Sequence, residues 1–200
     1  MSLAPAFALC FLLATIGASR VAGRSFVVRN AEKIFWTGAL GVATALVVMS
    51  HLQFEAWANG GFVAQHLVPP LGGHRYFLFY IWWRFWAPYA ISFVVAPIFF
   101  RLARWYNQRH SEQFFYEEEY YFIALGIFLT GQPGWIFYLL AMVLVAICAH
   151  IGIAASRFVG LTTTDYRRFS LYDFWLPVAA FVILSMTWIA QLPWFGVLKP

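Results

Sequence analysis

A chain of 200 residues that is 62% hydrophobic and only 10% charged is too short to bury that much apolar surface away from water. Ordinary soluble domains are about 45–50% apolar and about 25% charged, so a water-soluble globule is excluded and the bilayer is the first partner. The formal net charge of +5 is carried by basic residues scattered over short loops rather than gathered in a solvated patch, which excludes nucleic acid as a partner.

Apolar runs fall at about 2–19, 34–54, 76–100, 120–131, 135–153 and 174–192. A membrane-crossing helix needs roughly 20 apolar residues, with a range of about 17–25. Five runs qualify and the fourth is short. The predicted fold class is therefore all-α: a polytopic membrane helical bundle of about six transmembrane helices, in one domain covering 1–200. The 22 Phe, 10 Trp and 10 Tyr suit membrane interfaces rich in aromatics.

The first run, MSLAPAFALCFLLATIGASR, ends in small residues like a signal peptide but has no positive n-region, so it is read as a retained span. Cys10 here, and Cys148 in the fifth run, are expected as buried small hydrophobes, with no disulfide. In the second run, Gly38, Gly41 and Ala45 form a row suited to close helix packing, as do Ala141, Ala146 and Ala149 later.

His51 lies near the end of the second run, with Glu55 one turn on along the same helical face. His66 and His74 follow in the next loop. Together these four could offer imidazole and carboxylate ligands to zinc or copper. Their spacing matches no established metal motif, so no metal or other cofactor is predicted. The third run contains YIWWRFWAPYA, whose Arg84 is the one formal charge well inside an apolar run. Such a charge costs about 2.5–3.5 kcal/mol unless it snorkels or finds a partner. Trp82, Trp83 and Trp86 are expected to shield its stem, and Pro88 and Pro97 to bend the helix.

Before the short fourth run stands FFYEEEYYF, with Glu117, Glu118 and Glu119 in succession. A helix N-terminus stabilises acids by roughly 0.3–1 kcal/mol, so these residues are expected to open the fourth helix. Gln132-Pro133-Gly134 should break the chain before the fifth, at Pro-Gly. The loops at 20–33, 101–119 and 154–173 hold ten of the 13 Lys and Arg residues, against two on the alternate side. The positive-inside rule then puts those loops in the cytoplasm and both termini outside. The membrane is read as a bacterial inner membrane.

The segment from Phe99 to Gly152 resembles the core of the type IV prepilin peptidases, aspartic intramembrane proteases of the GxGD type. Ala124-Leu125-Gly126 and Gly131-Gln132-Pro133-Gly134-Trp135 follow that family's layout, and RRFSLYDFWLPVAAFVIL resembles its closing segment. The resemblance places Glu118 at the position of the second catalytic aspartate, with Glu117 in place of the preceding glycine. Such proteases use two carboxylates sharing a proton. No aspartate precedes Asp165, so the first catalytic position is vacant. The resemblance therefore implies a relative that kept the bundle and lost the chemistry. The expected function is a non-catalytic subunit of a secretion, conjugation or pilus-type membrane assembly. It would dock other membrane protein subunits through Glu117, Glu118, Glu119 and Arg84. Two further readings stand beside it: a peptidase pairing Glu118 with Asp165 or Asp173, and a metal-bearing subunit built on His51, Glu55, His66 and His74.

Overall fold

Lipid offers no hydrogen bonds to a backbone, so a chain in a bilayer satisfies its amides within helices. The computed structural model describes residues 3–69, 74–110, 115–158 and 171–191. Regular structure among them is entirely helical. The elements are α1 (Leu3–Val21), α2 (Arg24–Arg29), α3 (Ala31–Ala58), α4 (Phe62–Gln65), α5 (His74–Ile81), α6 (Ala87–Arg109), α7 (Glu117–Phe158) and α8 (Tyr172–Ile189). A π-helical turn, Trp82–Trp86, joins α5 to α6 without interruption.

Four helical stretches among the described residues are long and apolar enough to cross a membrane: Leu3–Val21, Ala31–Ala58, His74–Arg109 and Glu117–Gly152. A shorter apolar helix, Asp173–Ile189, accompanies them. Large apolar side chains such as Leu40, Val47, Leu78, Val94, Leu144 and Phe181 are exposed all around the bundle. That surface is compatible with an integral membrane protein, since patches of this extent are rare on soluble monomers.

The break in α7 lies two residues before the predicted Pro-Gly site. Gly131 takes φ 64°, ψ 171° and Gln132 φ −78°, ψ 132°, while Pro133 already belongs to the following helix. Proline tolerates a first helical position because the amide it lacks would be unpaired there. The turn falls on Gly131 because only glycine adopts positive φ at no steric cost. The turn reverses the chain, since the Tyr138 ring lies against Gly126, and in a straight helix those two positions would be about 18 Å apart. The first arm, 117–130, is only about 21 Å long against a hydrocarbon core of about 30 Å. Its residues 122–129 are all buried, as expected for a helix that is apolar on every side.

The other helices enclose this arm. Phe100 meets Tyr121 at 5.0 Å between ring centroids, Phe93 meets Phe128 at 5.7 Å, and Tyr89 packs on Gly131. α6 therefore runs antiparallel to the first arm. On the other flank Phe7 sits over Gly41 and Phe11 over Gly38, which also touches Leu125. The predicted small-residue row thus lets α1 approach α3. Met186 of α8 reaches Gly134 at the turn, and Trp175 reaches Phe115 and Tyr138. These pairings collect the ends bearing Arg20, Lys33, Arg101, Arg104, Arg109 and Glu117 at one end of the bundle. His51, Glu55, His66 and His74 lie at the other.

Two further expectations are corrected. The predicted loop at 101–119 is helical through Arg109, because arginine is a good helix former and its charge suits a helix C-terminus. Cys10 and Cys148, expected as buried small hydrophobes, are both exposed. Each lies on the outward face of an apolar helix, where the bilayer rather than protein would cover it.

Candidate functional site

The glutamate run opens a helix in a specific way. Tyr116 is the N-cap of α7, and its backbone N–H donates to Oε2 of Glu119 at 3.2 Å. That is the return bond of a capping box, in which the third helical residue reaches back to the cap. Phe115, just before the cap, packs against Tyr120 at 6.4 Å between ring centroids, forming the apolar staple that accompanies such caps. Glu119 is fully buried by this arrangement, with 0% exposure. It serves the fold rather than the surface.

Asn107, near the end of α6 and only 1% exposed, clamps the incoming chain. Its Nδ2 donates to the Phe115 carbonyl at 2.7 Å and to the Tyr120 hydroxyl at 2.6 Å. Its Oδ1 accepts the Phe115 N–H at 3.0 Å. Sequence reasoning missed Asn107, because RWYNQRH reads as part of the polar loop at 101–119. A single short amide among long cationic side chains was the available signal.

Around this frame opens a polar recess of about 500 Å³ lined by Arg104, Gln108, Tyr116, Glu117, Glu118 and Tyr121, among others. Glu117 and Arg104 are exposed and Glu118 is half-buried. The ion pair found among the described residues is at the opposite end, His51 with Glu55, so Arg104 and the two glutamates are not joined to one another. Arg109 instead lies over the Trp105 ring, 5.1 Å from its centroid. The recess thus presents both signs of charge on a braced scaffold.

Asp173 is exposed in the first turn of α8 and does not line this recess. Asp165 lies outside the described residues. His51 Nε2 is 3.2 Å from Glu55 Oε1, as their one-turn spacing predicted. His66 Nδ1 lies 2.7 Å from the Phe62 carbonyl, and His74 is exposed at the start of α5. Among the described residues no group of three His, Cys, Asp or Glu side chains gathers to hold a metal.

Arg84 is at the end away from the glutamates, in the π-helical turn, and is exposed. It therefore shares no surface with Glu117 and Glu118. Trp83 lies beside it, but Trp86 turns inward and donates from Nε1 to Ser50 Oγ at 3.1 Å. The wider π turn rotates the residues that an α-helix would have grouped. Comparison with protein-family models, with curated proteins and with solved structures gives no match to this chain.

Proposed function

We propose that the chain is a non-catalytic subunit of a larger membrane assembly, held in the bilayer by its apolar helices. It docks a partner through the recess of Arg104, Glu117 and Glu118. The setting is a secretion, conjugation or pilus-type machine, toward which the resemblance to type IV prepilin peptidases points. In this reading the first arm and α8 complete six passes, and the membrane is a bacterial inner membrane. The basic end faces the cytoplasm and both termini lie outside.

The observation that carries the proposal is the division of labour among the three glutamates. Glu119 is consumed by the helix cap, while Glu117 and Glu118 stand beside Arg104 without pairing to it. Charges beside the Asn107 clamp that are not paired among the described residues suit recognition of a partner of complementary charge. A peptidase needs two carboxylates facing one another. The position of Asp173 outside the recess speaks against its pairing with Glu118.

The test is purification from native membranes in mild detergent, followed by mass spectrometry of whatever accompanies the chain at fixed stoichiometry. Charge reversal at Glu117 and Glu118 together, with Glu119 kept so that the helix start survives, should strip the partner away. Reversal that leaves the same partners at the same stoichiometry would refute docking at this recess. A reversal that removes proteolysis of a co-expressed membrane substrate would instead establish the peptidase reading.

A further inference from the structure

Between Arg75 and Arg101 the long helix carries a single charge, Arg84, and its placement is built rather than incidental. The Ala87 N–H bonds to the Trp82 carbonyl, five residues back, immediately before Pro88, which has no N–H to continue the α-helical register. The resulting π turn presents Arg84 to a cleft of about 550 Å³ whose walls include Tyr76, Tyr80, Trp83, Gln132 and Met186. A second recess of about 210 Å³ shares Arg84, Gln132 and Met186 and extends to Ala4 and Met49. The guanidinium therefore stands where α1, α3, the π turn, the reversal in α7 and the end of α8 converge.

Among the described residues no carboxylate lines either recess and Arg84 has no ion-pair partner. A guanidinium carried on an apolar helix without an ion-pair partner is costly, and a phosphate group satisfies it with two parallel charge-assisted hydrogen bonds. The rest of the larger cleft is apolar, with Phe79, Pro88, Pro133 and Ala190 completing the wall. At this end of the bundle Trp57 lies 4.7 Å from Tyr80 and 6.2 Å from Tyr76 between ring centroids. Clustered Trp and Tyr mark the level of lipid headgroups. The Gln132 carboxamide oxygen accepts from the Trp135 indole, which orients that side chain at the cleft wall.

We infer that this cleft binds one phospholipid with an anionic headgroup. Its phosphate meets Arg84 among Tyr76, Tyr80 and Trp83, and an acyl chain lies along Pro88, Pro133 and Met186. The uncompensated positive charge selects anionic over zwitterionic headgroups. This site is independent of the glutamate recess at the other end and stands whether or not a partner docks there.

The experiment is native mass spectrometry of the delipidated full chain in detergent, titrated separately with phosphatidylglycerol, phosphatidylcholine and inorganic phosphate. One phosphatidylglycerol per chain should bind, and Arg84→Gln should weaken it by about ten- to hundredfold, the worth of a charge-assisted contact. Arg75→Gln should leave binding unchanged. Equal binding by Arg84→Gln, or equal affinity for phosphatidylcholine, overturns the inference. Occupancy by inorganic phosphate that fully excludes phosphatidylglycerol also overturns it, by showing a site for the free anion. Should Arg84→Gln fail to fold, Ala190→Trp narrows the cleft with Arg84 in place and should also weaken binding. Undiminished binding by that folded variant refutes the site.

Discussion

Gly126 and Tyr138 hold the hairpin of α7 together. A Cβ at residue 126 would fall inside the Tyr138 ring and hydroxyl. Gly126→Ala therefore overpacks a buried contact and should cost about 1–3 kcal/mol, read as a lower melting temperature by size exclusion after heating in detergent. An unchanged melting temperature would mean that the arms do not pack as described. The Tyr138 hydroxyl and the Trp175 indole N–H are buried without hydrogen-bond partners among the described residues. Tyr138→Phe removes one such group while keeping the ring, so stability should hold or rise in the same assay. Asn107→Ala strands the Phe115 carbonyl and N–H that the amide now satisfies. Each buried group left unpaired costs about 1–3 kcal/mol, so a clear loss is expected, while Gln108→Ala, at an exposed neighbour, should be tolerated.

At the scale of single elements, the start of α7 shows how far local patterns are legible. Three acids before an apolar run announce a helix N-terminus, and the helix does begin at Glu117. Which acid caps it depends on where Tyr116 sits, and that is decided by Asn107 from another helix. Glu119→Ala should lower stability by about 0.5–2 kcal/mol, the usual worth of a cap. Glu119→Gln should keep most of it, because glutamine makes the same return bond. Equal losses for both variants in thermal unfolding would show that charge rather than the hydrogen bond matters. The break near Pro133 was legible as well, but its position was not. Proline and glycine are both acceptable in a first helical turn, and the positive φ falls on Gly131 because the chain must reverse there.

At the scale of the whole molecule, the helix pairings sort the charges by end. Arg101 and Arg104 share an end with Arg20 and Lys33 because α6 runs antiparallel to the first arm and α1 antiparallel to α3. Under the proposed orientation that end is cytoplasmic. With Cys10 and Cys148 replaced by alanine, a cysteine at Asn59 should react with an impermeant maleimide in intact cells. One at Gln108 should react only after permeabilisation, and the reverse pattern would invert the topology.

The sequence by itself determined that this is a helical chain for a lipid solvent. Its apolar runs are long, its charges few, and helices alone satisfy a backbone in lipid. It also determined that Gly38 and Gly41 mark a close helix contact, because small residues have that consequence wherever two helices meet. Tertiary structure alone decided that the short fourth run is enclosed by protein, since enclosure depends on neighbours brought from α1, α3, α6 and α8. It likewise decided that Glu119 is spent within the fold while Glu117 and Glu118 stay available, and that Arg84 faces a cleft far from both. Adjacent residues in a helix point in different directions. What each of them meets is set by chain segments that sequence spacing does not bring together.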